Sequence, residues 1–98
     1  MKTHYKLLTK LFPEWNISFV SGSQIKFSNK ENPSVTSNYS PESLALMLKE
    51  KVLQEKGIEI LSYTNKVGGV ARIDNMAFQG LDEASAIMSA VKWVYRLV

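Results

Sequence analysis

A chain of 98 residues, 45% apolar and 21% charged, is long enough for one hydrophobic core, too short for two and too apolar for disorder. It has no cysteine, which excludes disulfides, a thiolate nucleophile and cysteine-ligated metals and suits the cytoplasm. The net charge of +3 is modest, and no apolar run approaches the roughly 18 residues of a membrane span.

The positive excess is local. Residues 1–30 hold five lysines against Glu14, for +4, while 31–69 hold four lysines against five glutamates and 70–98 are balanced. Lys2, Lys6 and Lys10 also interrupt the N-terminal apolar residues, an arrangement that argues against a signal peptide.

Residues 3–12 are predicted to form a short helix with Leu7, Leu8 and Leu11 inward and Lys2, Lys6 and Lys10 outward, stopped at Pro13. Asn16–Ser28 reads as a β-hairpin around Gly22-Ser23. An odd-length loop centred on Gly22 pairs Phe19 with Ile25 and Ile17 with Phe27, and a one-residue slip would turn half of that apolar set to water. Residues 29–40 are predicted to be a loop, with Val35-Thr36 a candidate short strand. Ser40-Pro41-Glu42 supplies a serine N-cap, a first-turn proline and a carboxylate at the positive end of a helix dipole. That helix is predicted to run to Lys56 and end at Gly57, with Leu44, Met47, Leu48 and Val52 buried.

Ile58–Tyr63 and Val70–Asp74 read as strands joined by a turn containing Gly68-Gly69. Asp74-Asn75 forms a second turn and Met76–Phe78 a last extended piece. Asp82 is the expected N-cap of a closing helix whose Ala84, Ile87, Val91, Val94 and Val98 share one face. Ala86 and Ala90 give that helix a narrow shoulder for close approach to a sheet. The predicted fold is therefore α+β, in the order α-β-β-α-β-β-α, a mainly antiparallel sheet covered by helices in a single domain spanning 1–98. The two helix–hairpin segments are loosely alike in layout.

Chemistry is sparse. His4 is the one histidine, near the terminus and without a neighbouring carboxylate, so no histidine dyad or triad suggests itself. Asp82 and Glu83 are adjacent and point apart on a helix, and Glu50 and Glu55 are five apart, so no metal site is predicted. Lys66-Val-Gly-Gly-Val70 lacks the lysine and hydroxyl ending of a phosphate loop and enters a strand. No catalytic residue, cofactor or metal is expected.

The aromatic residues Trp15, Tyr39, Tyr63, Trp93 and Tyr95 exceed what a core this small needs, and tyrosine and tryptophan favour interface hot spots. Trp15, Tyr39, Tyr63 and Trp93, supported by Lys6 and Lys10, are the candidate partner-binding residues. The alternative is nucleic acid, held by Lys2, Lys6, Lys10, Lys26 and Lys30 if these converge. Only Arg72 and Arg96 are available for base readout, which favours arginine. A homodimer through Trp93–Val98 is a further expectation.

Tyr39-Ser-Pro-Glu-Ser-Leu-Ala-Leu-Met-Leu48 and Gly80-Leu-Asp-Glu-Ala-Ser-Ala-Ile-Met-Ser-Ala-Val91 resemble small phage-encoded ABA-sandwich proteins, with their Tyr-Ser helix start, hairpin and alanine-rich closing helix. The likeness covers roughly residues 38–92 and carries no catalytic motif. It implies a phage or mobile-element accessory protein acting in the host bacterial cytoplasm by binding a host protein or complex. Inhibitors of bacterial defence systems, anti-CRISPR proteins among them, are one such group.

Overall fold

Residues 2–20 and 24–96 are described in the computed structural model, with side chains from Tyr5 onward. The loop at Gly22, the side chains of Lys2 and His4, and Leu97 and Val98 lie outside the described residues. The chain forms two compact units, residues 1–41 and 42–98.

In the first unit α1 (Lys2–Leu11) is followed by the antiparallel meander β1 (Trp15–Val20), β2 (Gln24–Asn29) and β3 (Thr36–Tyr39). The register pairs Phe19 with Ile25 and Ile17 with Phe27, as the alternation of apolar residues requires. β3 extends the row by pairing Ile25 with Tyr39 and Phe27 with Ser37. The stretch expected to be loop therefore contributes a full strand. The remaining connection is tied back on itself: Asn29 Oδ1 accepts from the backbone N–H groups of Glu31 and Asn32 at 2.9 and 3.1 Å. α1 lies on the apolar sheet face, with Leu7 and Leu8 fully buried and Phe12 edge-on to Phe27 at 5.3 Å.

The second unit repeats that layout and adds a closing helix: α2 (Pro41–Lys56), β4 (Leu61–Asn65), β5 (Gly68–Ile73), β6 (Met76–Gly80) and α3 (Glu83–Val94). The fold is thus α+β, with six strands among the described residues, in two three-stranded antiparallel sheets rather than one sheet. α2 ends as its sequence predicts, at Gly57 with φ +67°, the left-handed cap conformation that glycine adopts without strain. α3 is capped by Asp82, whose Oδ1 accepts from the Ser85 backbone N–H at 2.8 Å. The expected stripe of Ala84, Ile87, Val91 and Val94 is buried, as are Ala86 and Ala90.

The glycines carry a different role from the one expected. The β4–β5 turn is Lys66-Val67, braced by the Val67 N–H donating to Asn65 Oδ1 at 3.0 Å, and Gly68-Gly69 opens β5. Gly69 pairs across the sheet with Gly80, directly under the start of α3. A Cβ on Gly69 would overlap the Asp82 carbonyl group, and one on Gly80 would sit 2.7 Å from the Ala86 nitrogen. Among the described residues no helix is long and apolar enough to cross a membrane.

Two outcomes are expected from these contacts. Val91 is fully buried, so Val91→Asp places an unpaired charge in the core. The loss should exceed about 4 kcal/mol, most of the stability of a domain this size, and should appear as a collapsed urea midpoint. Gly69→Ala should cost about 1–3 kcal/mol by overpacking the sheet–helix contact, read in the same titration.

Candidate functional site

The second sheet has two unlike faces. Ser62, Gly69, Ala71, Ile73, Phe78 and Gly80 share the face on which α3 lies. Leu61, Tyr63, Val70, Arg72, Ala77 and Gln79 share the other. Across that open face Leu61 stands opposite Arg72, which stands opposite Ala77; Tyr63 stands opposite Val70, which stands opposite Gln79. Leu61 is 58% and Tyr63 45% exposed, whereas Val70 between its neighbours is buried. Arg72, Ala77 and Gln79 are exposed.

The first sheet provides an internal comparison. Its outer face carries Asn16, Ser18, Val20, Gln24, Lys26, Ser28, Thr36 and Asn38, which is polar at every position except Val20. Hydrophobic-in, polar-out alternation is normal for an antiparallel sheet with one solvated face. The second sheet breaks that rule with Leu61 and Tyr63.

Leu61 also borders a groove of about 470 Å³ between α2 and β4. Leu46 and Leu53 form its helical wall, and Glu50 and Glu59 line it as well. These leucines, 57% and 50% exposed, point nearly opposite to the buried Leu44, Leu48 and Val52. α2 is thus apolar on two sides. Its position beside β4 is fixed by a polar chain: Lys49 Nζ donates to Ser62 Oγ at 2.8 Å, and Ser62 Oγ donates to Glu83 Oε2 at 2.7 Å. The chain links α2, β4 and the first turn of α3, where a carboxylate also suits the helix dipole.

A second tie joins the far ends of the two helices. Tyr95 Oη donates to Glu55 Oε1 at 2.8 Å, Lys51 pairs with Glu55 Oε2 at 2.7 Å, and Lys56 Nζ stands 5.5 Å from the Tyr95 ring centre. Burial first, and then the hydrogen bond to the Glu55 carboxylate, pushes the Tyr95 phenol up to about 12. The Lys51 contact first, and Tyr95 second, holds Glu55 below the usual carboxylate range.

The residues expected to bind a partner fall in separate places. Trp15 and Tyr39 are half-buried and pack on Phe27, at ring distances of 6.4 and 5.2 Å. They complete the aromatic core of the first unit. Lys6 and Lys10 are exposed on α1, which covers the apolar face, while Lys26 rises from the opposite, polar face. Among the described residues, Lys26 therefore stands on the other side of the sheet from Lys6 and Lys10. Trp93 is 37% exposed, resting on Phe78 at 6.2 Å with the Arg96 guanidinium 5.2 Å from its ring centre. It lies on the helix-covered side of the second sheet, whereas Tyr63 lies on the open side. Of the expected set, Tyr63 alone stands on that open face.

Leu46, Leu53, Leu61 and Arg72 were not among the expected residues. The signal for Leu46 and Leu53 was present as a second apolar repeat seven residues apart, off the buried stripe. Leu61 and Tyr63 are two apart in a strand, but only the pairing tells which face is covered. Among the described residues no group of three or more His, Cys, Asp or Glu side chains could hold a metal ion. No protein-family model, curated protein or solved structure matches the chain.

The Tyr95 tie has a pH signature. A phenol raised from about 10 when unfolded favours the protonated folded state, so its stabilisation is complete below about pH 10 and is lost as pH rises through about 12. An ultraviolet phenolate titration should show one late step near pH 12, and Tyr95→Phe should remove that step while flattening the alkaline fall in stability.

Proposed function

We propose that the protein is a non-enzymatic binding module that docks on a larger host protein or complex through the open face of β4–β6. In this reading it is a phage or mobile-element accessory protein, acting in the bacterial cytoplasm as an inhibitor of a defence system in the manner of anti-CRISPR proteins. The observation that carries the docking reading is the contrast between the two meanders: one outer face is polar apart from Val20, and the other exposes Leu61 and Tyr63 beside Arg72. Tyrosine and arginine are over-represented among residues that dominate binding energy, and Leu61 adds apolar area beside them. The phage context rests on the likeness of residues 38–92 to phage ABA-sandwich proteins.

Two features of the site support binding over chemistry. The polar chain Lys49–Ser62–Glu83 has each of its observed hydrogen bonds directed within the unit, bracing α2 against β4 and α3. The open face is a broad surface of side chains, which suits a protein better than a small substrate.

The test is affinity capture from a bacterial lysate with the purified chain. The expected result is one stoichiometric protein partner whose binding weakens at least about tenfold in Tyr63→Ala with Arg72→Ala. Lys6→Glu with Lys10→Glu should leave it unchanged. Capture of nucleic acid instead, falling steeply with salt and lost with the two lysines, would replace this reading with the lysine-based one. Recovery of no stoichiometric protein would overturn it.

A further inference from the structure

We propose that the outward stripe of α2 is the seam of a symmetric homodimer, occupied by α2 of a second copy lying antiparallel along it. Glu42, Leu46, Lys49, Leu53 and Lys56 follow one another at steps of four, three, four and three residues. That is the spacing that keeps one line of side chains facing a partner helix. Leu46 and Leu53 are 57% and 50% exposed, and Glu42 and Lys56 are exposed at the two ends.

The order of charges selects the occupant. A two-fold axis passing near Lys49 sets Leu46 against Leu53 of the second copy and Glu42 against Lys56 of the second copy, each pair occurring twice. A parallel arrangement would set Glu42 against Glu42 and Lys56 against Lys56. The stripe is therefore complementary to itself, reversed, as an isologous interface requires.

Lys49 at the centre would meet its own copy across the axis. Its ammonium is drawn sideways, donating to Ser62 Oγ at 2.8 Å, and Ser62 donates to Glu83. Only the Lys49 methylenes remain in the seam, the usual compromise of a long cationic side chain beside apolar surface. The groove of about 470 Å³ between α2 and β4 lies alongside, with Leu61 on its far wall. It gives the leucines of the second copy a recess to enter. A single helical seam is small, so the dimer belongs to the concentration-dependent class.

This surface is distinct from the open face of β4–β6, and the two stand or fall separately. The test is sedimentation of the full chain over a range of concentrations. Mass should rise from monomer to dimer, and Leu46→Glu with Leu53→Glu should weaken the association at least about tenfold while the circular dichroism spectrum is retained. Glu42→Lys alone and Lys56→Glu alone should each weaken it, and the two together should restore it. The charge exchange alters only exposed side chains, so it decides the question even if the leucine variant fails to fold. Tyr63→Ala with Arg72→Ala should leave the dimer intact. A monomer at every concentration, a dimer indifferent to Leu46 and Leu53, or charge variants without mutual rescue would each overturn the proposal.

Discussion

The close approach of α3 to the β5–β6 pair is the constraint on which the second unit depends. Helix and sheet come together where Gly69 faces Gly80 across the ladder, and neither position has room for a Cβ beneath the helix start. The same contact places Asp82 to cap the helix and Glu83 within reach of Ser62. Once α3 is seated, Ile87, Val91 and Val94 are committed to the core, while Leu61 and Tyr63 on the far face of the sheet are exposed. At interior packing density a side chain there forces the helix start or the strand to shift.

A consequence is that α2 does not have to cover the sheet in the way α3 does. It is held by discrete ties, Lys49 to Ser62 at mid-helix and Glu55 to Tyr95 near its C-terminus, alongside the buried stripe of Leu44, Leu48 and Val52. Hydrogen-bonded ties fix rotation about the helix axis more sharply than apolar contact, which is not directional. That fixed rotation is what keeps Leu46 and Leu53 outward and aligned. The exposed apolar residues of this unit are thus products of how its polar side chains are satisfied.

The two meanders show how the same layout yields different surfaces. In the first, the buried strand residues Ile17, Ile25 and Phe27 share one face, and the outer face is Asn, Ser, Thr, Gln and Lys apart from Val20. In the second, the outer face keeps Leu61 and Tyr63. Lone exposed apolar residues are ordinary, but neighbours on one sheet face, continuous through Leu61 with the α2 groove, form a surface that water solvates poorly.

The amino-acid sequence by itself determined the helices, the hairpin register and the α+β class. These follow from local periodicity, from Pro41, Gly57 and Asp82 at the helix ends, and from the period-two placement of Ile17, Phe19, Ile25 and Phe27. It did not determine that the strands separate into two sheets: each meander pairs neighbours in sequence, and whether the edge of one meander joins the other is decided by contacts far apart in the chain. Nor did it tell a turn glycine from a packing glycine: Gly68-Gly69 looks like a turn, and only the nearness of Asp82 shows why a strand needs Gly69. The candidate surface was legible in part. Tyr63 could be singled out as a surplus aromatic, but Trp15 and Tyr39 were equally eligible until Phe27 was seen to gather them. Which face of β4 is covered, and which side of α2 is free, are decided by tertiary packing, since an apolar side chain is core or surface only according to what lies over it.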